Sequence, residues 1–340
     1  MQSPSARVAW LDAARGIGII LVVFGHVERG LSAAGIAQGS GWSIVDLSIY
    51  TFHMPLFMLL AGVNVPASLS RGAGRFLKGK VLTVAYPYVL WSLIQGSTLV
   101  LLSSLTNGKG EWAMLAKIGW QPISPFWFLY ALMAFFVLAA AVRARAAILI
   151  PLAVAGLVAS AFMSGESIVH QLSYMLSFFV IGTLGSEAIK KFHLSPAIVW
   201  LAGSALVWLA VFQIVPNEGA TPYLSPLAFP AALAGCVFIL AMAQALKGRT
   251  GAFFAQLGKW SMSIYVMHIL AASGTRIAMM KSGVEAPVAA YVIACTAVGV
   301  GAPVLAHVIM ERMGLLPIFG LGKRKTRAAA PAAEGIAQPG

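Results

Sequence analysis

Residues 8–27 read VAWLDAARGIGIILVVFGHV, a stretch long and apolar enough to cross a membrane that nevertheless contains Asp12, Arg15 and His26. An ionisable group in hydrocarbon costs about 2.5–3.5 kcal/mol, so such groups usually face a protein interior or a wet cavity. At about 100° per residue, Arg15 and His26 lie within roughly 20° of each other around a helix, and Asp12 within roughly 40° of the same stripe. We therefore expect a transmembrane helix with a polar stripe spread over about 20 Å of depth.

The composition places the whole chain in the same class. Charged residues make up 10% of the 340 residues and hydrophobic residues 59%, whereas soluble proteins carry about 25% charged residues. The apolar runs are continuous over about 20 residues and do not alternate, as transmembrane helices require. We predict an all-α polytopic membrane protein with about ten transmembrane helices, near residues 9–30, 45–67, 81–105, 126–142, 146–163, 168–186, 197–215, 225–246, 260–280 and 287–310.

The distribution of Lys and Arg predicts the orientation, because cytoplasmic loops are enriched in these residues. If the N-terminus lies in the cytoplasm, most of the 23 Lys and Arg residues fall on the cytoplasmic side. The cations on the outer side are then only Arg29, Lys109, Lys117, Arg276 and Lys281. Both termini are therefore predicted to be cytoplasmic. The net charge of +13 then reflects topology and attraction to the lipid bilayer, and no nucleic-acid partner is expected. The transmembrane domain is predicted to cover residues 1–321, followed by a disordered basic and Ala/Pro/Gly-rich cytoplasmic tail at 322–340.

Three histidines inside predicted spans are candidates for chemistry. His26 could act as a general base or carry an acyl group, because imidazole exchanges protons near neutral pH. His53 precedes Pro55 by two residues, and this proline frees a backbone group inside the membrane. His268 follows Tyr265 by three residues and should lie near the middle of its span. His26 and His268 could instead be hydrogen-bonding bridges between buried helices, and His53 could instead stabilise the proline kink with a hydrogen bond.

The remaining histidines and the cysteines are expected to play structural roles. His170 and His193 lie at loop edges and are predicted to be solvated, and His307 near the inner end of the last span is predicted to be structural. Cys236 and Cys295 lie inside apolar spans and are expected to be small core residues. No spacing of His, Cys, Asp and Glu resembles a metal site, so no metal is expected.

A basic segment, RGAGRFLKGK at residues 71–80, contains Arg71, Arg75, Lys78 and Lys80. Such a segment can be a simple anchor on the cytoplasmic side. It can also be a flexible docking loop for a phosphorylated cytosolic molecule. The residues alone leave both interpretations open.

The order of several motifs resembles the membrane acyltransferase-3 family over about residues 8–310. DxxRG at residues 12–16 is followed by GH at residues 25–26, and FHMPLF at residues 52–57 is similar to the fucose 4-O-acetylase-like branch of that family. The later motifs are FLKxK at 76–80, YPY at 86–88, PFWFL at 125–129 and SxYxxH at 263–268.

This resemblance implies O-acyl transfer, usually of an acetyl group from cytosolic acetyl-CoA to a sugar or glycan hydroxyl at the other face of the membrane. It identifies Arg15 and His26 as the essential catalytic pair, with Asp12 beside them. The basic acyl-CoA loop of the family matches Lys78 and Lys80, to which we add Arg71 and Arg75 as candidates for donor binding. The acceptor would be bound by His53, Trp127, Tyr265 and His268.

The chain departs from the family pattern at one position, since Thr83 stands where a further arginine often follows the basic loop. This departure bears on donor binding more than on catalysis. A location in a bacterial cytoplasmic membrane and glycan-assembly proteins as partners are further expectations.

Two other classes of function remain alternatives at this stage. A transporter or flippase of a glycan or lipid-linked precursor would also place ionisable groups on broken helices. A scaffold within a polysaccharide export complex is the other alternative. A transporter is expected to show internal two-fold repetition of its spans, and the sequence has no such repeat.

The Lys and Arg asymmetry predicts that Gly74 faces the cytoplasm and that Gly110 faces the opposite side. A membrane-impermeant thiol reagent added to intact cells should therefore label a Gly110→Cys variant and spare a Gly74→Cys variant. The reverse labelling pattern would overturn the predicted topology.

Overall fold

The computed structural model describes residues 8–322 with gaps at 104–109, 124, 192–199, 202, 206–207, 209–220 and 284. Within these ranges the chain forms helices and turns and no strand. The α-helices are α1 (Ala9–Ala33), α2 (Ser40–Gly62), α3 (Val65–Leu69), α4 (Ala73–Lys80), α5 (Tyr86–Leu101), α6 (Ala113–Ala116), α7 (Trp127–Ala141), α8 (Ala146–Ser160), α9 (Ile168–Leu184), α10 (Ser186–Lys191), α11 (Phe229–Ala245), α12 (Gly248–Lys259), α13 (Ser261–Lys281) and α14 (Val288–Arg312).

The helices confirm an all-α polytopic membrane protein. Five helical segments are long and apolar enough to cross a membrane: Ala9–Ala33, Ser40–Leu69, Ala73–Leu101, Pro226–Ala245 and Val288–Arg312. Helices α7, α8 and α9 are apolar but shorter, at 15 to 17 residues each. Most of the predicted spans coincide with described helices. The predicted span at 197–215 lies largely outside the described residues, and His193 and residues 323–340 lie wholly outside them.

One helix is missing from the span prediction, which places nothing between residues 246 and 260. The structure has α12 there, and it packs along the first half of α1. Helix α12 is too short and too polar to be detected as a span, but Phe254 and Leu257 give it an apolar side. This helix therefore covers the inner half of α1 with protein.

The contact between α1 and α12 is made by backbone against backbone. A Cβ atom added at Gly16 would lie 1.9 Å from the carbonyl oxygen of Phe254, and one added at Gly258 would lie 1.8 Å from the carbonyl oxygen of Asp12. Neither position has room for any side chain. Small residues that let helix backbones approach closely are a main source of packing between membrane helices.

Helices α2 and α9 meet in the same way. A Cβ atom at Gly62 would lie 2.3 Å from the carbonyl oxygen of Phe179, and one at Gly182 would lie 2.0 Å from that of Leu59. The two close-packed pairs are joined because α1 also contacts α2, α11, α13 and α14. Helix α1 is thus at the centre of the bundle, and its polar side chains face other helices.

A segment from Ala73 to Leu101 is helical throughout, but it contains a π-helical turn at Val81–Ala85. Pro87 lies just beyond this turn and has no N–H to donate to the carbonyl four residues earlier. The missing hydrogen bond accounts for the change in helical geometry between α4 and α5.

The reciprocal contact predicts that Gly258→Ala destabilises the protein, because overpacking against rigid backbone costs about 1–3 kcal/mol. The matched control is Gly301→Ala in α14, where an added Cβ atom meets nothing within 4 Å. The measurement is the thermal unfolding midpoint of each purified variant in detergent. Equal midpoints for the two variants would show that the α1–α12 contact is not tight.

Candidate functional site

Three histidines from different helices gather in the half of the bundle that is predicted to face outward. The ring centroids of His26 on α1 and His268 on α13 are 5.1 Å apart. Tyr50 on α2 lies between His26 and His53. The centre of its ring is 6.3 Å from the centre of the His26 ring and 4.6 Å from that of the His53 ring. The fold thus brings together three histidines that are distant in the sequence.

Two of these rings are oriented by the carbonyl groups of their own helices. Nδ1 of His53 lies 2.7 Å from the carbonyl oxygen of Ile49, and Nδ1 of His268 lies 2.6 Å from that of Tyr265. A carbonyl oxygen only accepts, so Nδ1 carries the proton and Nε2 of each neutral ring holds a free lone pair. Nε2 of His268 is buried and has no hydrogen-bond partner among the described residues.

A central cavity connects this cluster to further polar side chains. Tyr265 donates a hydrogen bond of 2.5 Å to the carbonyl oxygen of Pro125, which fixes the segment that leads to Trp127. The cavity is lined by His26, Arg29, Tyr50, His53, Met54, Pro125, Trp127, Glu166, Gln171, Met175, Tyr223, Leu224 and Tyr265. His26, His53, Trp127 and Tyr265 therefore share one cavity, while His268 is fully buried behind His26.

A second polar cluster lies nearer the N-terminal end of α1. Nη1 of Arg15 donates to Asp12 Oδ1 at 2.8 Å, and Nη2 donates to the carbonyl oxygen of Leu60 at 3.3 Å. Lys80 is half-buried, with its Nζ 3.9 Å from the centre of the Phe136 ring. Arg15 and Lys80 are close enough for their charges to repel each other.

The other predicted donor-binding residues do not join this cluster. Arg71, Arg75 and Lys78 are exposed at the surface. Lys78 and Lys80 are two positions apart on α4, which separates their side chains by about 200° around a helix. The basic segment therefore has one cation turned into the protein and three turned outward.

The two clusters are separated by about 16 Å along α1, because Arg15 and His26 are eleven positions apart and the rise is about 1.5 Å per residue. Between them is a small apolar cavity of about 70 Å³ lined by Ile19, Val22, Met54, Phe57, Phe128, Leu129, Ser261, Met262 and Tyr265. Met54 and Tyr265 line both this cavity and the central one. This apolar cavity thus lies between the levels of Arg15 and His26 and shares part of its wall with the central cavity.

The sequence analysis did not identify an ion-pair network at the outer end of α1. Nε and Nη2 of Arg29 donate to the two carboxylate oxygens of Asp46 at 2.6 and 3.1 Å, and Nη1 donates to Glu166 Oε1 at 2.9 Å. The guanidinium carbon lies 3.3 Å from the centre of the Tyr50 ring. Arg29 follows His26 by three residues, so the two side chains share a face of the helix. This spacing could have indicated that Arg29 lies near the site, but the sequence prediction treated Arg29 only as a cation of the outer side.

Tyr223 completes this network by donating a hydrogen bond to Glu166. Burial raises the pKa of the Tyr223 hydroxyl, which therefore stays protonated and remains a donor. The network closes the outer side of the central cavity, since Arg29, Glu166 and Tyr223 all line it.

One histidine expectation is wrong. His170 is 2% exposed and not solvated, because its Nδ1 lies 2.9 Å from the carbonyl oxygen of Gly165 and Ser167 caps the start of α9. His307 is buried with its Nδ1 2.6 Å from Ser263 Oγ, which fits a structural role.

Cys236 and Cys295 are buried free thiols. Within the described part of the chain, no group of three or more His, Cys, Asp and Glu residues is arranged to hold a metal ion.

Comparisons with known proteins agree with the motif order. A family model described as "Acyltransferase domain", of the acyltransferase-3 type, matches residues 8–307. Nodulation protein NolL of Sinorhizobium fredii is 29% identical over 183 residues, which cover 53% of this chain and 49% of that protein. Nodulation protein NolL of Mesorhizobium japonicum is 28% identical over 187 residues, which cover 52% of this chain and 48% of that protein.

The chain thus spans about half the length of the curated relatives it matches. No solved structure matches it. The family model, in contrast, extends over all the helices that carry the two polar clusters, from α1 to most of α14. The chain therefore belongs to the acyltransferase-3 family of membrane acyltransferases.

Proposed function

We propose that this protein transfers an acetyl group from acetyl-CoA, bound at the cytoplasmic side, to a sugar hydroxyl at the opposite side of the membrane. The observation that carries the proposal is the arrangement on α1, where Arg15 lies in an inner cationic cluster and His26 in an outer histidine cluster. The small apolar cavity between the two clusters lies on the route that an acyl group would take from one to the other.

The inner cluster suits the donor. Coenzyme A is polyanionic, and charge-assisted hydrogen bonds from Arg and Lys to phosphate are strong. The positive charges of Lys80 and Arg15 lie near enough to interact, so an anion bound between them would be attracted by both. Asp12 holds the Arg15 guanidinium in place. The exposed cations at 71, 75 and 78 would attract the donor from solution.

The outer cluster suits the transfer step. His26 is only half-buried and lines the central cavity, so it can reach both an acceptor hydroxyl and an arriving thioester. As a general base, His26 would take the hydroxyl proton while the hydroxyl oxygen bonds to the acetyl carbon and the carbon–sulfur bond breaks. The proton would then return from His26 to the thiolate. In the alternative route His26 carries the acetyl group before the hydroxyl attacks.

The surrounding side chains would orient the reacting hydroxyl of the acceptor, since the central cavity of about 40 Å³ has room for a hydroxyl group but not for a sugar ring. The lone pair at Nε2 of His53 can accept a hydrogen bond from a sugar hydroxyl, and Trp127 offers an aromatic wall in the same cavity. His268, whose ring lies tilted against that of His26, would limit the orientations of the His26 ring. Tyr265 would act indirectly, by holding the Pro125 segment.

We predict that His26→Ala abolishes transfer, because a positioned general base is worth about 10²–10⁴-fold in rate. The control is His307→Asn, which keeps a hydrogen-bonding group for Ser263 and should retain most activity. The measurement is mass spectrometry of surface glycans from cells that express each variant at equal level, where each acetyl group adds about 42 Da. Near-normal acetylation in His26→Ala cells would refute the assignment.

We predict that Lys80→Ala raises the KM for acetyl-CoA by about 10-fold or more, as expected for the loss of a hydrogen bond to a charged group worth about 1.5–3 kcal/mol. Lys78→Ala is the matched control and should change KM less than about five-fold, because an exposed charge contributes about 0.2–1 kcal/mol. Steady-state kinetics on purified protein distinguish the two. Equal effects would mean that the whole basic segment acts only by its net charge.

A further inference from the structure

A separate cavity of about 730 Å³ opens at the outer ends of α1 and α2. Its volume is in the range of about 300–1,000 Å³ that is typical of small-molecule sites. It is lined by Glu28, Arg29, Ser32, Ala33, Ala37, Gln38, Gly39, Trp42, Ser43, Asp46, Leu47, Pro222 and Tyr223. Arg29 and Tyr223 line the central cavity as well, so this outer cavity lies directly beside the one that contains His26.

Glu28 gives this cavity an unsatisfied hydrogen-bond acceptor. The residue is 3% exposed, and its Oε2 accepts no hydrogen bond from the described residues. Buried polar atoms in proteins are nearly always paired with protein, water or ligand. A ligand that donates hydrogen bonds would supply the missing partner.

The charges around the cavity disfavour an acidic ligand. Glu28 and Asp46, whose carboxyl groups are hydrogen-bonded to each other, line the wall, and Glu166 lies behind Arg29. Arg29 is the one cation among the described lining residues, and its guanidinium is already engaged by Asp46 and Glu166. An anionic group in this cavity would therefore meet carboxylates without a free positive charge to pair with.

Trp42 adds an aromatic surface to the same wall. Binding sites commonly combine aromatic side chains, which contact the apolar face of a ligand, with a few polar groups that fix its orientation. A sugar ring matches this combination, because it has apolar C–H faces and a rim of hydroxyl donors.

We propose that the outer cavity holds the ring of the acceptor sugar, whose reacting hydroxyl reaches the adjoining central cavity, and that this sugar carries no acidic group. The sugar hydroxyls donate hydrogen bonds to Glu28 and Asp46 while the ring packs on Trp42. This inference rests on the proposed acyl transfer for the identity of the acceptor, and it adds both the place of the sugar and the selection by charge.

The test measures sugar binding without acetyl-CoA. A Ser43→Cys variant of the full chain, purified in detergent, is labelled with a polar maleimide in the presence of methyl β-D-glucoside or methyl β-D-glucuronide, which differ in the acidic group at C6. The native thiols of Cys236 and Cys295 are buried. Ser282→Cys, on an exposed position that does not line the cavity, is the control for effects of sugar on the reagent.

The glucoside should slow the labelling of Cys at position 43 by about three-fold when present at twice its Kd, because the free fraction falls as 1/(1 + [L]/Kd). The glucuronide should protect less, and Glu28→Gln should reduce the difference between the two sugars. Trp42→Ala should remove protection, whereas Trp42→Phe, which keeps an aromatic ring, should preserve part of it.

Absence of protection by the glucoside at its highest soluble concentration, or equal protection by both sugars, would overturn the inference. Protection as predicted by a protein that transfers no acetyl group would uphold the cavity assignment and contradict the proposed acyl transfer. Transfer to the glucoside without protection at position 43 would uphold the transfer and overturn the cavity assignment.

Discussion

The backbone contact between Gly16 on α1 and Gly258 on α12 is the constraint on which the functional arrangement depends. It restricts sliding and rotation of α1, because each glycine packs directly on a backbone carbonyl group of the other helix and has no room for a side chain. Helix α1 contributes side chains to both polar clusters. Since a helix rises about 1.5 Å per residue, fixing its inner end also fixes the depth of His26. The site is thus positioned by packing far from the histidines.

The two arginines of α1 that lie inside the bundle are compensated locally. Arg15 is neutralised by Asp12 and shares a backbone carbonyl of α2, while Arg29 is neutralised by Asp46 and Glu166. His53 and His268 hydrogen-bond to carbonyl groups of their own helices, so they need no charged partner. Such pairing offsets the penalty for charge in hydrocarbon. It leaves His26 as a half-buried titratable ring that faces the cavity.

The sequence was sufficient to predict the elements that depend on local pattern. Apolar runs of membrane length identified most helices, and the spacing of Arg15 and His26 correctly predicted one helix with polar groups at two depths. The side chains of Lys78 and Lys80 point in different directions, which also follows from their spacing of two residues on a helix. The family motif had suggested that both bind the donor. Helix α12 was missed because twelve residues with several polar positions do not resemble a span.

What the sequence could not supply are the contacts between distant segments. Arg29 pairs with Asp46 and Glu166, which are 17 and 137 positions away in the sequence. No local pattern indicates which carboxylates a cation will reach. His170 was misassigned for a related reason, since a loop edge is solvated only if no other segment covers it. The gathering of His26, His53 and His268 is likewise a product of helix packing, although each residue was a candidate alone.

The central claim is that donor and acceptor act from opposite sides of the membrane through one helix. Proteoliposomes with the protein in a single orientation test it directly, with acetyl-labelled acetyl-CoA supplied on one side and a neutral methyl glycoside on the other. The account predicts labelled glycoside only when acetyl-CoA is on the side of Lys80 and the glycoside on the side of His26. Transfer with both substrates confined to the side of His26, or with their sides exchanged, would contradict it.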